Sequence, residues 1–386
     1  MSNRRNFHAA NSSTVKRNLI VNENIKKTRM IFLDIKLLLA FIISMVTAIA
    51  VTPLVIKLAH KIGAVDKPNK RKVHQNVMPR LGGLAIFIAV TVGYFVAGLY
   101  EAKITGIMVG ALIIIVLGII DDKYEISAKI KLLGQILAAC AVMGSGLTVE
   151  VLNIPFIGVF DLGIFSYVVT LFWILAITNA INLIDGLDGL SAGISSIVFA
   201  SIAFLAFSAD KMLILTLSLI LLGSTLGFLF HNFYPAKIFM GDTGSMFLGY
   251  SIAILSLLGL FKSVTLFSFV VPVMILGVPI FDTSFAIIRR VVNRKPISVA
   301  DKSHLHHRLL ALGLSHRDTV LVIYGFGLIF SIAAITFETL TLRWAIFILV
   351  FILIAFEIVA EKIGLVNDDY RPILSVFRKV VGYKRN

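Results

Sequence analysis

Residues 166–208 read SYVVTLFWILAITNAINLIDGLDGLSAGISSIVFASIAFLAFS. Two apolar runs, 166–183 and 190–208, flank a short polar break that carries Asp185 and Asp188. Each run approaches the roughly 20 residues that a helix needs to cross a hydrocarbon layer. The stretch therefore predicts two membrane-length helices in succession.

The same alternation extends in both directions. Apolar runs separated by polar breaks fall at 34–59, 81–100, 104–120, 130–148, 166–183, 190–208, 212–230, 244–261, 265–288, 319–337 and 342–362. The chain has 386 residues, 58% hydrophobic and 15% charged, against about 25% charged in a soluble domain. Its fold class is accordingly all-α, a polytopic membrane helix bundle of about 11 transmembrane helices. Pro53, Pro272 and Pro279 lie within spans and are expected to kink them. Three regions follow: a polar basic tail over 1–30, a multi-pass membrane domain over 31–364 and a basic C-terminal tail over 365–386. The first is expected to be disordered, and Met30, directly before the first apolar run, offers an alternative start. Cys140 is the single cysteine and excludes an intrachain disulfide or a cysteine-based metal cluster.

A formal charge of +15 would raise the question of nucleic acid in a soluble protein. Here Lys and Arg concentrate in the odd-numbered connections and the C-terminal tail, whereas the even-numbered ones hold only Lys103, Lys211, Lys262 and, at a boundary, Arg343. That asymmetry places the odd side in the cytoplasm. The basic N-terminal tail opposes the assignment, and the internal loops outvote it. No basic stripe with interleaved aromatics runs outside the apolar spans, so no nucleic-acid partner is expected. The remaining unusual polar residues fall almost entirely on the odd side, which expects a cytoplasmic-face active site.

In the stretch TNAINLIDGLDGLSAG, Asn179, Asn182, Asp185 and Asp188 recur every third residue and would share one side of a helix. Gly186, Gly189 and Gly193 would let that helix open. Amide and carboxylate oxygens suit Mg²⁺ or Mn²⁺ working with substrate phosphates; the alternative is polar glue between helices. Asp121 and Asp122 end the third span, where repulsion between neighbouring carboxylates calls for a cation or a proton. Lys131 follows, with Gln135 on its face. In HNFYPAKIFMGDTGSMFLG, Asp242 stands at a helix start with Thr243 and Ser245 as caps, and the N-terminal amides there would favour a phosphate. Phe239 or Tyr234 could stack on a base.

The ninth connection holds His304, His306, His307, Arg308 and His316. A helix from Asp301 would set His304, His307 and Arg308 opposite Leu305, Leu309 and Leu312, a face suited to a pyrophosphate. Zinc is the rival ligand, but no HExxH spacing is present. Ser315 and Asp318 resemble a capping box opening the tenth span. The first connection adds Arg71, His74 and Arg80.

Acids at a membrane boundary, amides beside them and basic groups around the rim describe metal-bridged phosphoryl transfer. A secondary transporter or flippase for an anionic substrate is the alternative from a different class, since intramembrane acids also mark ion pathways. Such a protein should carry its acids near the midplane, whereas here they gather at one face.

Five ordered motifs, RKVHQNVMPRLGG, the Asp121–Asp122 pair, NAINLIDGLDGL, FMGDTGS and HLHHRL, resemble the polyprenyl-phosphate N-acetylhexosamine-1-phosphate transferase family, in its bacterial undecaprenyl-phosphate branch that initiates teichoic acid or O-antigen synthesis. The resemblance covers nearly everything after residue 34. It implies transfer of a sugar 1-phosphate from a UDP-sugar to undecaprenyl phosphate, with release of UMP and dependence on Mg²⁺ or Mn²⁺, in a bacterial cell membrane. It further implies Asp242 as the principal metal ligand, with Asn182 and Asp121 beside it. Asp121, Asp122, Lys131, Asp185, Asp188, His304 and His307 take catalytic positions. Arg71, His74, Arg80, Asn179, Gly186, Leu187, Asn232, Phe239, His306 and Arg308 take substrate contacts. HLHHRL is nearer the GlcNAc branch than the branch using UDP-N-acetylmuramoyl pentapeptide, so UDP-GlcNAc is the expected donor. A homodimer is compatible with the family.

Overall fold

The computed structural model describes residues 35–67, 77–101, 104–154, 158–259, 270–294, 304–340 and 342–365, with Ile373 and Ser375. Both terminal tails therefore lie largely outside the described residues, as do Arg71 and His74.

Helices dominate: α1 Ile35–Ile62, α2 Gly82–Val96, α3 Thr105–Tyr124, α4 Ala128–Gly144, α5 Phe165–Ile184, α6 Leu190–Ser208, α7 Met212–Asn232, α8 Gly241–Gly259, α9 Val270–Ile275, α10 Gly277–Val292, α11 Leu305–Ala311, α12 His316–Thr339 and α13 Leu342–Ile363. Each expected span coincides with a helix, except that the ninth is broken at Leu276 into α9 and α10, with Pro272 and Pro279 on either side. Among the described residues, seven helices (α1, α3, α5, α6, α7, α8 and α12) are long and apolar enough to cross a membrane, and α2 is apolar but shorter. The chain is a polytopic membrane bundle. Two small antiparallel hairpins were not expected: β1 Val65–Asp66 with β2 Met78–Pro79, and β3 Val151–Ile154 with β4 Gly158–Asp161.

Helix α8 forms the centre. Of its most apolar 18 residues 89% are buried, against 28% for α1. Small residues permit this packing. A Cβ on Gly83 of α2 would lie 2.1 Å from the Gly244 nitrogen, one on Gly118 of α3 would meet the Thr243 Cα at 2.3 Å, and one on Gly249 would meet the Thr178 Cα of α5 at 2.7 Å. Close backbone approach of this kind is how helices associate where lipid supplies no hydrophobic drive. Hydroxyls buried in the bundle turn back onto their own helices, as Ser44 and Thr52 do to Ala40 and Ala48 carbonyls at 2.6 Å.

The PRLGG segment acts as a stitch. The N–H groups of Gly82 and Gly83 donate to the carbonyls of Phe239 and Met240, and the Phe239 N–H returns a bond to Pro79. Two orphan donors at the start of α2 are thereby satisfied, and the FMGD segment is fixed against the first connection. The same end of the bundle receives the C-termini of α3, α5 and α7 and the N-termini of α2, α4, α6 and α8.

Candidate active site

At that end Asp121 and Asp122 occupy the last turn of α3, both almost fully buried. Adjacent helical residues diverge by about 100°, and the two carboxylates serve different neighbours. Asp122 accepts the backbone N–H of Asp242 at 2.8 Å and that of Thr243 at 3.1 Å, together with the Thr243 hydroxyl at 2.6 Å. It caps α8 from a neighbouring helix. This corrects two expectations, because Thr243 and Ser245 do not cap their own helix and the first amides of α8 are taken by a carboxylate rather than left for a phosphate. Ser245 instead donates to the Gly241 carbonyl at 2.9 Å and accepts from Asn182 at 2.8 Å.

Asp121 faces Lys131 at 2.7 Å, and the same ammonium also pairs with Asp242. Asn182 donates to Asp242 at 2.6 Å. Asn179 and Gln135 bond reciprocally one turn away, the amide of Asn179 donating at 2.8 Å. Five expected residues, Asp121, Lys131, Asn179, Asn182 and Asp242, thus converge from α3, α4, α5 and α8. The Oδ1 of Asp121 is buried with no hydrogen-bond partner among the described residues. That orphaned oxygen and the Asp242 carboxylate are hard oxygen donors of the kind Mg²⁺ uses when substrate phosphates and water complete its shell; Asn182 turns its NH2 group to Asp242 and would join them only through its amide oxygen. No group of three or more His, Cys, Asp or Glu suited to a metal exists among the described residues.

The every-third-residue pattern is not one helix. α5 stops at Ile184 and α6 starts at Leu190, with Gly189 at φ +77°, so Asn179 and Asn182 sit on a helix while Asp185 and Asp188 lie on the turn beyond it. Burial pushes the Asp185 carboxyl well above the ordinary carboxylate range, and nearby Asp242 and Asp122 add to the shift. Asp185 can therefore keep its proton where an ordinary aspartate would have lost it. Asp188 bonds to two neighbouring segments: its carboxylate accepts the Ala236 N–H, and its own N–H donates to His316 Nε2, each at 3.0 Å. Asn232 likewise accepts from Gly189 at 3.1 Å and donates to Ile238 at 2.9 Å. Leu187 belongs to the core. Arg80 pairs with Glu125 at 3.3 Å and approaches Asp122 at 3.9 Å. Phe239 is half-buried, and Tyr234 stacks on His316 with ring centroids 4.6 Å apart.

The histidine segment is shorter and deeper than its periodicity suggested. Helix α11 begins at Leu305, with His304 at its N-cap position. His304 and His306 are buried together with Leu305 and Leu309, while Leu312 and His307 are exposed. The rings of His304 and His306 lie parallel 6.0 Å apart, and His307 follows at 4.2 Å from His306. His306 touches the bare backbone of Gly186, where a Cβ would meet its Nε2 at 2.3 Å. Arg308 is half-buried on the same helix. Ser315 caps α12 as expected, accepting the Asp318 N–H at 3.2 Å, but its hydroxyl donates to the Asp318 carboxylate at 2.6 Å, so the reciprocal half of a capping box is replaced by a side-chain bond. One acid escaped the sequence reading. Asp282, within α10, accepts from His304 Nδ1 at 2.9 Å and from the Leu305 N–H at 2.7 Å. A lone carboxylate inside an apolar span was the available signal.

The central part of the chain, residues 104–260, matches the family model described as glycosyl transferase family 4. Over 354 residues, 91% of this chain and 98% of the relative, it is 57% identical to a probable undecaprenyl-phosphate N-acetylglucosaminyl 1-phosphate transferase of Bacillus subtilis. The chain belongs to glycosyl transferase family 4. A decaprenyl-phosphate N-acetylglucosaminephosphotransferase of Mycobacterium leprae is 38% identical over 71% of the chain and 76% of its own length. An undecaprenyl-phosphate alpha-N-acetylglucosaminyl 1-phosphate transferase of Yersinia pestis is 29% identical over 77% and 84%. As a family 4 glycosyl transferase the protein is a membrane enzyme, and the transporter alternative falls away. The matched region contains all five converging residues, from Asp121 through Asp242.

Proposed function

We propose that this family 4 enzyme transfers N-acetylglucosamine 1-phosphate from UDP-GlcNAc to undecaprenyl phosphate, releasing UMP and forming undecaprenyl-diphospho-GlcNAc, the first membrane step of a cell-envelope glycan. The observation that carries the reading is the Lys131 ammonium held between Asp121 and Asp242, with Asn182 on the far side of Asp242. Such a cluster at the helix ends serves a diphosphate arriving from water and a phosphate arriving from lipid.

An oxygen of the lipid phosphate attacks the β-phosphorus of the donor, and the bond from that phosphorus to the bridging oxygen of UMP breaks. Asp121 is the favoured acceptor for any proton on the attacking phosphate, because Asp122 is committed to α8. Lys131 neutralises charge where the two phosphates approach. Asp242, Asp121 and Asn182 would hold Mg²⁺ or Mn²⁺, which supplies charge neutralisation to the pyrophosphate. His304, His306, His307 and Arg308 bind the donor phosphates, and Phe239 takes the uracil. The names of the relatives support GlcNAc over N-acetylmuramoyl pentapeptide. The succession of apolar runs supports eleven crossings, and the charge asymmetry of the loops supports a site on the cytoplasmic side of a bacterial cell membrane. A homodimer is the assembly to look for by mass measurement in detergent.

The test uses purified full-length protein with Mg²⁺, undecaprenyl phosphate and a panel of UDP-sugars. UMP and a new lipid diphosphosugar are expected with UDP-GlcNAc. Turnover with another UDP-sugar and none with UDP-GlcNAc would overturn the donor, and no UMP with any of them would overturn the reaction.

A further inference from the structure

Asp282 takes no part in the chemistry above, yet it is a carboxylate 3% exposed in an apolar helix. A buried acid is unfavourable unless its oxygens find donors. Both do: Oδ2 receives the His304 ring and Oδ1 the Leu305 N–H. Ten residues separate Asp282 from the end of α10 at Val292, which is about 15 Å of helix. The start of α11 is thereby drawn down into the bundle, with Leu305, His306 and Leu309 buried around it.

An anchor for α11 would need only the Leu305 N–H. The second bond, to the ring, fixes the orientation of His304 and commits its Nδ1, leaving Nε2 as the nitrogen available to a phosphate. The parallel His304 and His306 rings then run from Asp282 towards Gly186, the residue after Asp185. We propose that Asp282 is a positioning residue of the transfer reaction, acting through His304 to aim its imidazole at the phosphates of the UDP-sugar. The proposal rests on the phosphate-binding role given above to the histidine segment.

A double-mutant cycle on the full-length enzyme tests it, with Asp282→Asn, His304→Gln and their combination assayed for kcat/KM towards UDP-GlcNAc and for KM towards undecaprenyl phosphate. Each single variant is expected to lose about tenfold or more in kcat/KM, as carboxylates orienting a histidine commonly do. The combination should fall no lower than His304→Gln alone, with the lipid KM unchanged. Multiplicative losses, or an Asp282→Asn enzyme at the wild-type rate, would overturn the proposal while leaving the histidine reading intact. A fully active His304→Gln enzyme would overturn both. If Asp282→Asn is not recovered folded, Asp282→Glu, which keeps the charge and displaces the oxygens, replaces it in the same cycle with the same outcomes.

Discussion

Thr243 gives both its backbone N–H and its hydroxyl to one oxygen of Asp122, at 3.1 and 2.6 Å. The first turn of α8, and with it Asp242, is therefore placed by a residue of α3. Removing the hydroxyl at constant shape, in Thr243→Val, leaves a buried carboxylate oxygen short of a donor and should lower stability by about 1–2 kcal/mol. Thr243→Ser keeps the donor and should stay near wild type. Unfolding midpoints in detergent compare the two, and equal midpoints would mean that the hydroxyl bond contributes nothing.

Lys131 is the cation common to Asp121 and Asp242. In Lys131→Met the two carboxylates face each other without it. Transfer is expected to fall about a hundredfold or more, in line with the loss of a charge-stabilising donor, while Mn²⁺ binding followed by electron paramagnetic resonance becomes tighter because a competing cation is gone. Weaker Mn²⁺ binding in this variant would argue that lysine and metal do not share the two acids.

Gly186 has no side chain because the His306 ring occupies that space. Gly186→Ala puts a methyl 2.3 Å from Nε2, so α11 or the Asp185–Asp188 turn must shift. The expected result is a raised KM for UDP-GlcNAc with little change in the lipid KM, and partial recovery in Gly186→Ala combined with His306→Ala. An unchanged KM in the single variant would show that this contact does not shape the donor site.

Much of this architecture was legible in the chain. Apolar length alone locates helices such as 190–208, because lipid leaves the backbone no other way to satisfy its polar groups. The acids and amides on α3, α5 and α8 were visible for the same reason, being conspicuous in apolar surroundings. What remained hidden was division of labour among similar residues. Nothing local distinguishes Asp121, which faces Lys131, from Asp122, which caps α8; that depends on which way α3 is rotated against its neighbours. The three-residue rhythm from Asn179 to Asp188 suggested one helix, and Gly189 at positive φ instead marks a new one. Asp282 went unnoticed because its partner, His304, is 22 residues away.

Burial, reinforced by nearby His307, pushes the His306 imidazole down to about 3 from its ordinary 6.5. Its Nδ1 is also buried with no hydrogen-bond partner among the described residues. The folded protein therefore refuses a proton that the unfolded chain accepts below pH 6.5. Where the unfolded state binds more protons, stability rises with pH. His306 thus has no effect on the pH dependence well above 6.5, and destabilises the fold progressively as pH drops from there towards 3. His306→Gln carries no titrating group at that position, so its unfolding midpoint should decline less steeply than that of the wild type between about pH 7.5 and 5. The difference between the two proteins, taken at each pH, is the measurement. Curves that stay parallel across the window would show that His306 takes up its proton as readily in the folded protein as in the unfolded chain.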